Sequence, residues 1–208
     1  MRIAPLLMIG ACALAGCGPK VPPLTGVPAP AHLPHTSLPP GHWQLLFRWT
    51  LTEPTAHLHG DGIARLAAPD SVRLDFFLSG GMASGHAVLI GDDLRIPGIG
   101  LLGRFLPGPA LLWATMGRLD IPPAADTVVR VDGDTLRADI GRGLHWRLAF
   151  VGGDLRRLER IDGGRLREWV ARGSRGDVRY ERPTTRRVLE ITVLASTEAS
   201  EFDASIWQ

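Results

Sequence analysis

A period of two governs this chain. Trp43, Leu45, Phe47, Trp49 and Leu51 alternate with the polar Gln44, Arg48 and Thr50. Val72, Leu74, Phe76 and Leu78 repeat the pattern with Arg73 and Asp75 between them, as do Leu144, Trp146, Leu148 and Phe150 around His145 and Arg147. Leu189, Ile191 and Val193 alternate with Glu190 and Thr192. Successive side chains of a strand point to opposite faces, so these runs bury one face and wet the other. That is the pattern of antiparallel sheet with one solvated side. Turn signals such as Pro69-Asp70, Gly80-Gly81, Asp132-Gly133-Asp134, Gly152-Gly153-Asp154 and Asp162-Gly163-Gly164 separate the runs. Their regular spacing predicts a meander of hairpins. The expected fold class is mainly β, a curved antiparallel sheet of about ten or eleven strands ending with Glu201–Trp207.

One segment departs from this period. Between Ile96 and Gly117 apolar residues cluster without alternation, and Pro107-Gly108-Pro109 interrupts them, which predicts two short helices. Pro109 suits a first helical position and Gly117 a stop. The second piece, Ala110–Met116, is apolar nearly all round. Such a helix either closes the open side of the sheet as core or lies as a lid over an apolar cavity.

The N-terminus sets the compartment. Arg2 precedes an apolar stretch from Ile3 to Ala15, too short for a transmembrane helix. Leu14-Ala15-Gly16-Cys17 then resembles the bacterial lipobox. The resemblance implies diacylglyceryl transfer to Cys17 Sγ, cleavage before Cys17 and acylation of the new amino group. Cys12 would leave with the signal, so the mature protein would hold no disulfide. Several acyl chains make a stable anchor where one is marginal. Gly18 follows the cysteine in place of the aspartate that retains enteric lipoproteins at the inner membrane, so an outer-membrane, periplasm-facing location is expected. Residues 18–40 are proline-rich and carry little charge, which reads as an extended tether reaching roughly 70 Å at about 3.1 Å per residue. The expected organisation is a signal at 1–16, a lipidated Cys17 and tether at 17–40, and a β domain at 41–208.

This organisation resembles the LolA/LolB group of lipoprotein carriers and receptors. The stretch Gly60-Asp61-Gly62-Ile63-Ala64-Arg65-Leu66, with Pro69 and Arg73-Leu74-Asp75 following, is similar in style to the group's second and third strands. The long helix that usually precedes the first strand is replaced here by the proline-rich segment. The resemblance implies an unclosed half-barrel with helices covering an apolar cavity that accepts lipid acyl chains or lipoprotein. The lipid-anchored member of the group is the receptor. Candidate cavity residues are then Trp43, Phe47, Trp49, Leu74, Phe76, Trp146 and Phe150 from the sheet, with Leu102, Phe105, Leu112, Trp113 and Met116 from the helical segment. In the receptor an apolar residue on a loop after the third strand enters the membrane, and Met82 is the candidate for that role.

Charge is unevenly placed. Residues 41–141 carry a net −3, residues 142–187 a net +7, and residues 188–208 a net −4. The basic block includes Arg156, Arg157, Arg160, Arg165, Arg167, Arg172, Arg175 and Arg179. It reads either as a solvated outer face or as a contact for anionic headgroups or an acidic partner. An exported, anchored protein would not meet nucleic acid.

Catalytic and cofactor patterns fail in context. Gly98–Gly103 matches GxGxxG, but Pro97 precedes it and no βαβ unit surrounds it. No GxSxG is present. His57 and His59 share a strand face, yet a metal site needs a third ligand from elsewhere, and edge histidines explain them as well. Asp92-Asp93 and Asp132/Asp134 sit in turn sequences, where Asp supports the turn itself. The expectation is a non-enzymatic protein with no cofactor and no metal. Two classes remain: a lipid-binding module, or an envelope scaffold with a packed interior that docks a partner through its basic face.

Overall fold

The computed structural model describes residues 18–80, 84–97, 102–122 and 124–208. Among them thirteen strands form one antiparallel sheet that does not close into a barrel. The first meander comprises β2 (His42–Glu53), β3 (Ala56–Ala67), β4 (Ser71–Leu78), β5 (Ser84–Ile90) and β6 (Asp93–Arg95). Two helices follow, α1 (Leu102–Phe105) and α2 (Pro109–Thr115). The second meander comprises β7 (Val128–Asp132), β8 (Thr135–Ile140), β9 (Leu144–Val151), β10 (Asp154–Asp162), β11 (Arg165–Arg172), β12 (Val178–Arg182) and β13 (Arg187–Ala199). The last strand returns to pair with β2, from Val188 opposite Thr52 to Ala199 opposite His42, with a bulge between Val193 and Ala195. That seam joins the meanders. β6 forms one outer edge, and β1 (Val27–Ala29), paired with β7, forms the other.

The alternation translates into burial. Phe47, Trp49, Leu51, Val72, Leu74, Phe76, Leu148, Phe150 and Leu189 all lie on the buried concave face. Gly60 and Gly62 of β3 stand opposite Trp49 and Phe47. A Cβ at Gly62 would sit 2.3 Å from the Phe47 ring, and one at Gly60 would sit 1.9 Å from the Phe77 carbonyl oxygen and 3.0 Å from the Trp49 ring. The missing side chains let both rings lie across β3. Trp49 Nε1 then donates to the Asp61 carbonyl at 3.1 Å, and Trp49 and Phe47 reach Phe76 at 5.8 and 5.4 Å between centroids. On the convex side Arg65 and Arg73 both pair with Asp75, at 2.5 and 3.0 Å, and Arg73 Nη1 donates to the Ile206 carbonyl. The Gly, Arg and Asp positions that carried the family resemblance thus fix an edge-on aromatic cluster inside and an ion cluster outside.

The helical segment forms as its punctuation predicts. Pro109 opens α2, and Gly117, at φ +85°, follows the capping residue Met116. Leu111, Leu112, Trp113, Ala114 and Thr115 are buried. The helix packs on β10 and β11, and Trp113 Nε1 donates to the Gly91 carbonyl at 2.6 Å.

Three expectations need correction. The sheet has thirteen strands because β1 and β6, three residues each, are too short for alternation to reveal. Residues 204–207 form a 3-10 turn and no strand, since Asp203 Oδ1 accepts from Ser205 N at 2.8 Å and starts a helical turn there. Residues 18–40 are not a free tether. Leu166 N donates to the Pro19 carbonyl, Val21 N to the Gly164 carbonyl, and Arg165, Arg147 and Arg130 donate to the carbonyls of Gly18, Pro22 and Gly26. The segment then crosses the open side, where Leu38 is buried and Thr36 Oγ1 accepts from Leu119 N. Proline removes donors and leaves carbonyls, and a row of arginines satisfies those carbonyls. Pro28 is tolerated in β1 because that strand is an edge.

In an antiparallel meander the turns alternate between two ends. Those after β2, β4, β8, β10 and β12 share one end, and those after β3, β5, β7, β9 and β11 share the other. Gly18 lies against Leu166 near the β10–β11 turn, at the first of these ends.

Candidate functional site: an apolar cavity beneath the seam

Burial along β2 is graded. Leu51, Trp49 and Phe47 are fully buried, whereas Leu45 and Trp43, on the same face, are only half-buried. The half-buried stretch faces a cavity of about 360 Å³. Trp43, Leu45 and Phe47 form one wall, and Ala64, Leu66 and Leu74 of the next two strands continue it. Ile191 and Val193 of β13 and Val178 of β12 form the opposite wall, and Thr115 and Met116 at the end of α2 close one side. The exposed lining residues Pro39, Arg175 and Ser196 mark the rim. The cavity therefore opens toward the β11–β12 turn, at the end of the sheet away from Gly18.

Of the residues singled out in the sequence, Trp43, Phe47, Leu74 and Met116 line this space. Trp49, Phe76, Phe105, Leu112, Trp113 and Phe150 are buried elsewhere in the core. Phe105 fills the space beneath β2 and β4, stacked on Trp49 at 6.0 Å and edge-on to Phe76 at 6.0 Å. Trp146 is half-buried and packs on the core without reaching the cavity. Leu102 begins α1, and its side chain lies outside the described part. Cys17 and Met82 lie outside the described residues. Val178, Ile191 and Val193 complete the lining without having been singled out as candidates; the parity of β13 alone would have found the last two.

The basic block divides in two. On the convex face arginines are consumed by neighbouring acids: Arg147 with Asp139, Arg157 with Glu159, Arg167 with Asp162, and Arg179 with Glu181 and Glu190. Arg157 also lies over the Trp169 ring at 4.0 Å. The expectation that Arg160 and Arg172 belong to this outer face is incorrect. Arg160 pairs in register with Glu168, and Arg172 with Val178, on the face that carries Leu158, Val170 and Tyr180. Glu168, buried, receives Arg160 at 2.9 Å, Arg182 at 3.0 Å and the Tyr180 hydroxyl at 2.7 Å. Burial, and then the hydrogen bond to Glu168, push the Tyr180 pKa well above its ordinary value.

Arg172 has no such partners among the described residues. Its Nε is buried without a hydrogen bond, as is that of Arg160, but Arg160 has its ion pair with Glu168 and Arg172 has none among the described residues. Its guanidinium packs against Gly117, where a Cβ would come within 2.3 Å of Nη1. Desolvation lowers its pKa, the like charge of Arg156 adds to this, and Asp154 opposes it. Asp154 is itself engaged by Arg156 at 2.8 Å. A guanidinium thus stands in the wall of a mainly apolar cavity whose other polar side chains are Thr115 beside α2 and Arg175 and Ser196 at the rim.

Comparison with protein-family models returns no match, and neither does comparison with curated protein sequences. Among solved structures, a LolA superfamily protein from Nitrosomonas europaea aligns with a TM-score of 0.53 at 12 % identity, over 83 % of this chain and 92 % of that one. A DUF1329 family protein from Desulfovibrio piger aligns with a TM-score of 0.46 at 12 % identity, over 83 % and 90 %. The first likeness is one of fold: the chain shares with that protein an unclosed antiparallel sheet with a short helical segment on its concave side.

Proposed function

We propose that this protein is a lipid-anchored envelope protein that holds an acyl chain in the cavity beneath the β2–β13 seam, with a LolB-like role in passing lipid or lipoprotein to the outer membrane. The single observation that carries the reading is the cavity itself, apolar on both walls and open at one rim. Its 360 Å³ lies within the range of about 300–1,000 Å³ typical of small-ligand pockets. At about 30 Å³ per water-sized group it holds on the order of ten methylenes, the length of one acyl chain. At about 0.8 kcal/mol each these contribute roughly 8 kcal/mol of transfer free energy, equivalent to a micromolar Kd before ordering costs. The role is one of binding, with no bond made or broken.

The ends of the sheet give the reading a direction. Anchored through Cys17, the domain presents to its membrane the end that carries the β4–β5 turn, where Met82 enters the bilayer. The rim then faces away, toward the periplasm and whatever delivers the lipid. Because residues 18–26 lie along the sheet, the domain sits close to that membrane.

The test uses the full chain carrying Cys17→Ala, which removes its own acyl chains. It should take up an environment-sensitive fluorescent fatty acid at one per chain. Val193→Trp, which fills the cavity, should weaken uptake at least tenfold while the chain still melts cooperatively. An unaltered chain that takes up no fatty acid would leave a packed envelope scaffold as the better account.

A further inference from the structure

We propose that the cavity selects an amphiphile with a single acyl chain and an anionic head, and that Arg172, supported by Arg175, binds that head. The inference rests on the lipid-binding reading and adds the chemical class of the ligand. An unpaired guanidinium inside an apolar wall is costly, and buried charges are ordinarily paired. Every other inward-facing arginine of this region obeys that rule, since Arg160 and Arg182 both meet Glu168. Arg172 stands one strand end away without a carboxylate, and its Nε is buried and unbonded. Asp154, the acid whose charge reaches Arg172, makes its ion pair with Arg156, and no carboxylate pairs with Arg172 among the described residues. The C-terminal end of α2, where Gly117 meets the guanidinium, offers a favourable dipole but no hydrogen bond to it.

Position makes the charge useful. Apolar lining residues such as Phe47, Leu66 and Leu74 lie buried, whereas Arg175 is exposed at the rim. A chain inserted tail-first along these residues brings its head to the level of Arg172 and Arg175. A carboxylate or phosphate there accepts bidentate, charge-assisted hydrogen bonds in a water-poor setting. The volume admits about one chain, so a fatty acid or lysophospholipid fits whole, and of a multiply acylated lipid or lipoprotein the cavity holds one chain.

The test is displacement of the neutral dye Nile red from the full chain carrying Cys17→Ala, using palmitate and 1-hexadecanol, which share chain length and differ in head charge. Palmitate should bind at least tenfold more tightly, in keeping with a charged hydrogen bond. Arg172→Met, which keeps the apolar stem, should bring palmitate down to the level of the alcohol and leave the alcohol unchanged. Equal binding of the two by the unaltered chain would overturn the inference and leave the acyl-chain reading intact. Failure of both to displace a bound dye, or of the dye to bind, would remove the acyl-chain reading and this inference with it. Should Arg172→Met not fold, the comparison in the unaltered chain still decides, and Arg175→Gln, exposed at the rim, should lower palmitate binding alone by a few-fold.

Discussion

The concave face has two regions built from the same kinds of residue with opposite outcomes. Beneath β2 at Trp49 and β4 at Phe76, Phe105 of α1 stacks into the layer and all three rings are buried. Beneath β2 at Trp43 and Leu45, the same strand face opens into the cavity. What differs is the covering. α2 spans seven residues, about 10 Å at 1.5 Å per residue, and ends at Met116. Past Met116, Pro39 of the crossing segment lines the cavity rim, while Leu119 and Ile121 pack on the core. The end of the short helix thus lies at the boundary between core and cavity, and the strand residues themselves do not encode it.

The inward charges make the same contrast. Glu168 gathers Arg160, Arg182 and Tyr180 into a closed network at one level of the face. Arg172, further along β11, has none of this. A closed network fixes the packing of β10 to β12, while an unpaired guanidinium beside a cavity is available to a ligand.

The sharpest way to break the comparison is in the filled region. Trp113→Ala removes a fully buried indole and should cost about 3–5 kcal/mol in urea unfolding. Glu168→Leu leaves two arginines and a tyrosine hydroxyl without their shared acceptor, and should cost about 3 kcal/mol by the same measurement. Gly62→Ala forces a methyl against the Phe47 ring and the Asp75 carbonyl, and should cost about 1–3 kcal/mol. Leu45→Met, in the half-buried wall of the open region, keeps the volume and should change stability by less than about 1 kcal/mol. A Leu45→Met cost as large as that of Trp113→Ala would mean that the two regions are equally packed.

The closed network also predicts a pH dependence. The folded-state pKa of Tyr180 is raised, so its contribution is fully present below the unfolded value of about 10 and is lost as pH rises from there toward the folded value. Unfolding free energy should therefore decline above about pH 10, and Tyr180→Phe should flatten that decline.

Much of this fold was legible from parity. The alternation in residues 43–51, 72–78 and 189–193 named the buried face correctly, because a half-buried strand allows no other register. Pro107-Gly108-Pro109 and Gly117 bounded the two helices for equally local reasons. The N-terminal segment was not legible, since its proline-rich composition is that of a tether and its docking depends on distant arginines supplying donors. The inward place of Arg160 and Arg172 was not legible because Trp169 lies outward beneath Arg157 while Glu168 lies inward, inverting the usual sorting of apolar and charged residues. The cavity was least legible of all: Trp43 and Trp49 share a strand face, and it is distant cover, Phe105 over Trp49 and none so close over Trp43, that distinguishes them.

The account's central claim is that this space takes one acyl chain. Native mass spectrometry with lipid extraction, on the full chain carrying Cys17→Ala, tests it most directly. The account predicts a bound mass of one single-chain lipid, recovered on extraction and lost in Val193→Trp. A clean unliganded mass for the unaltered cavity, unchanged after incubation with palmitate, would contradict it.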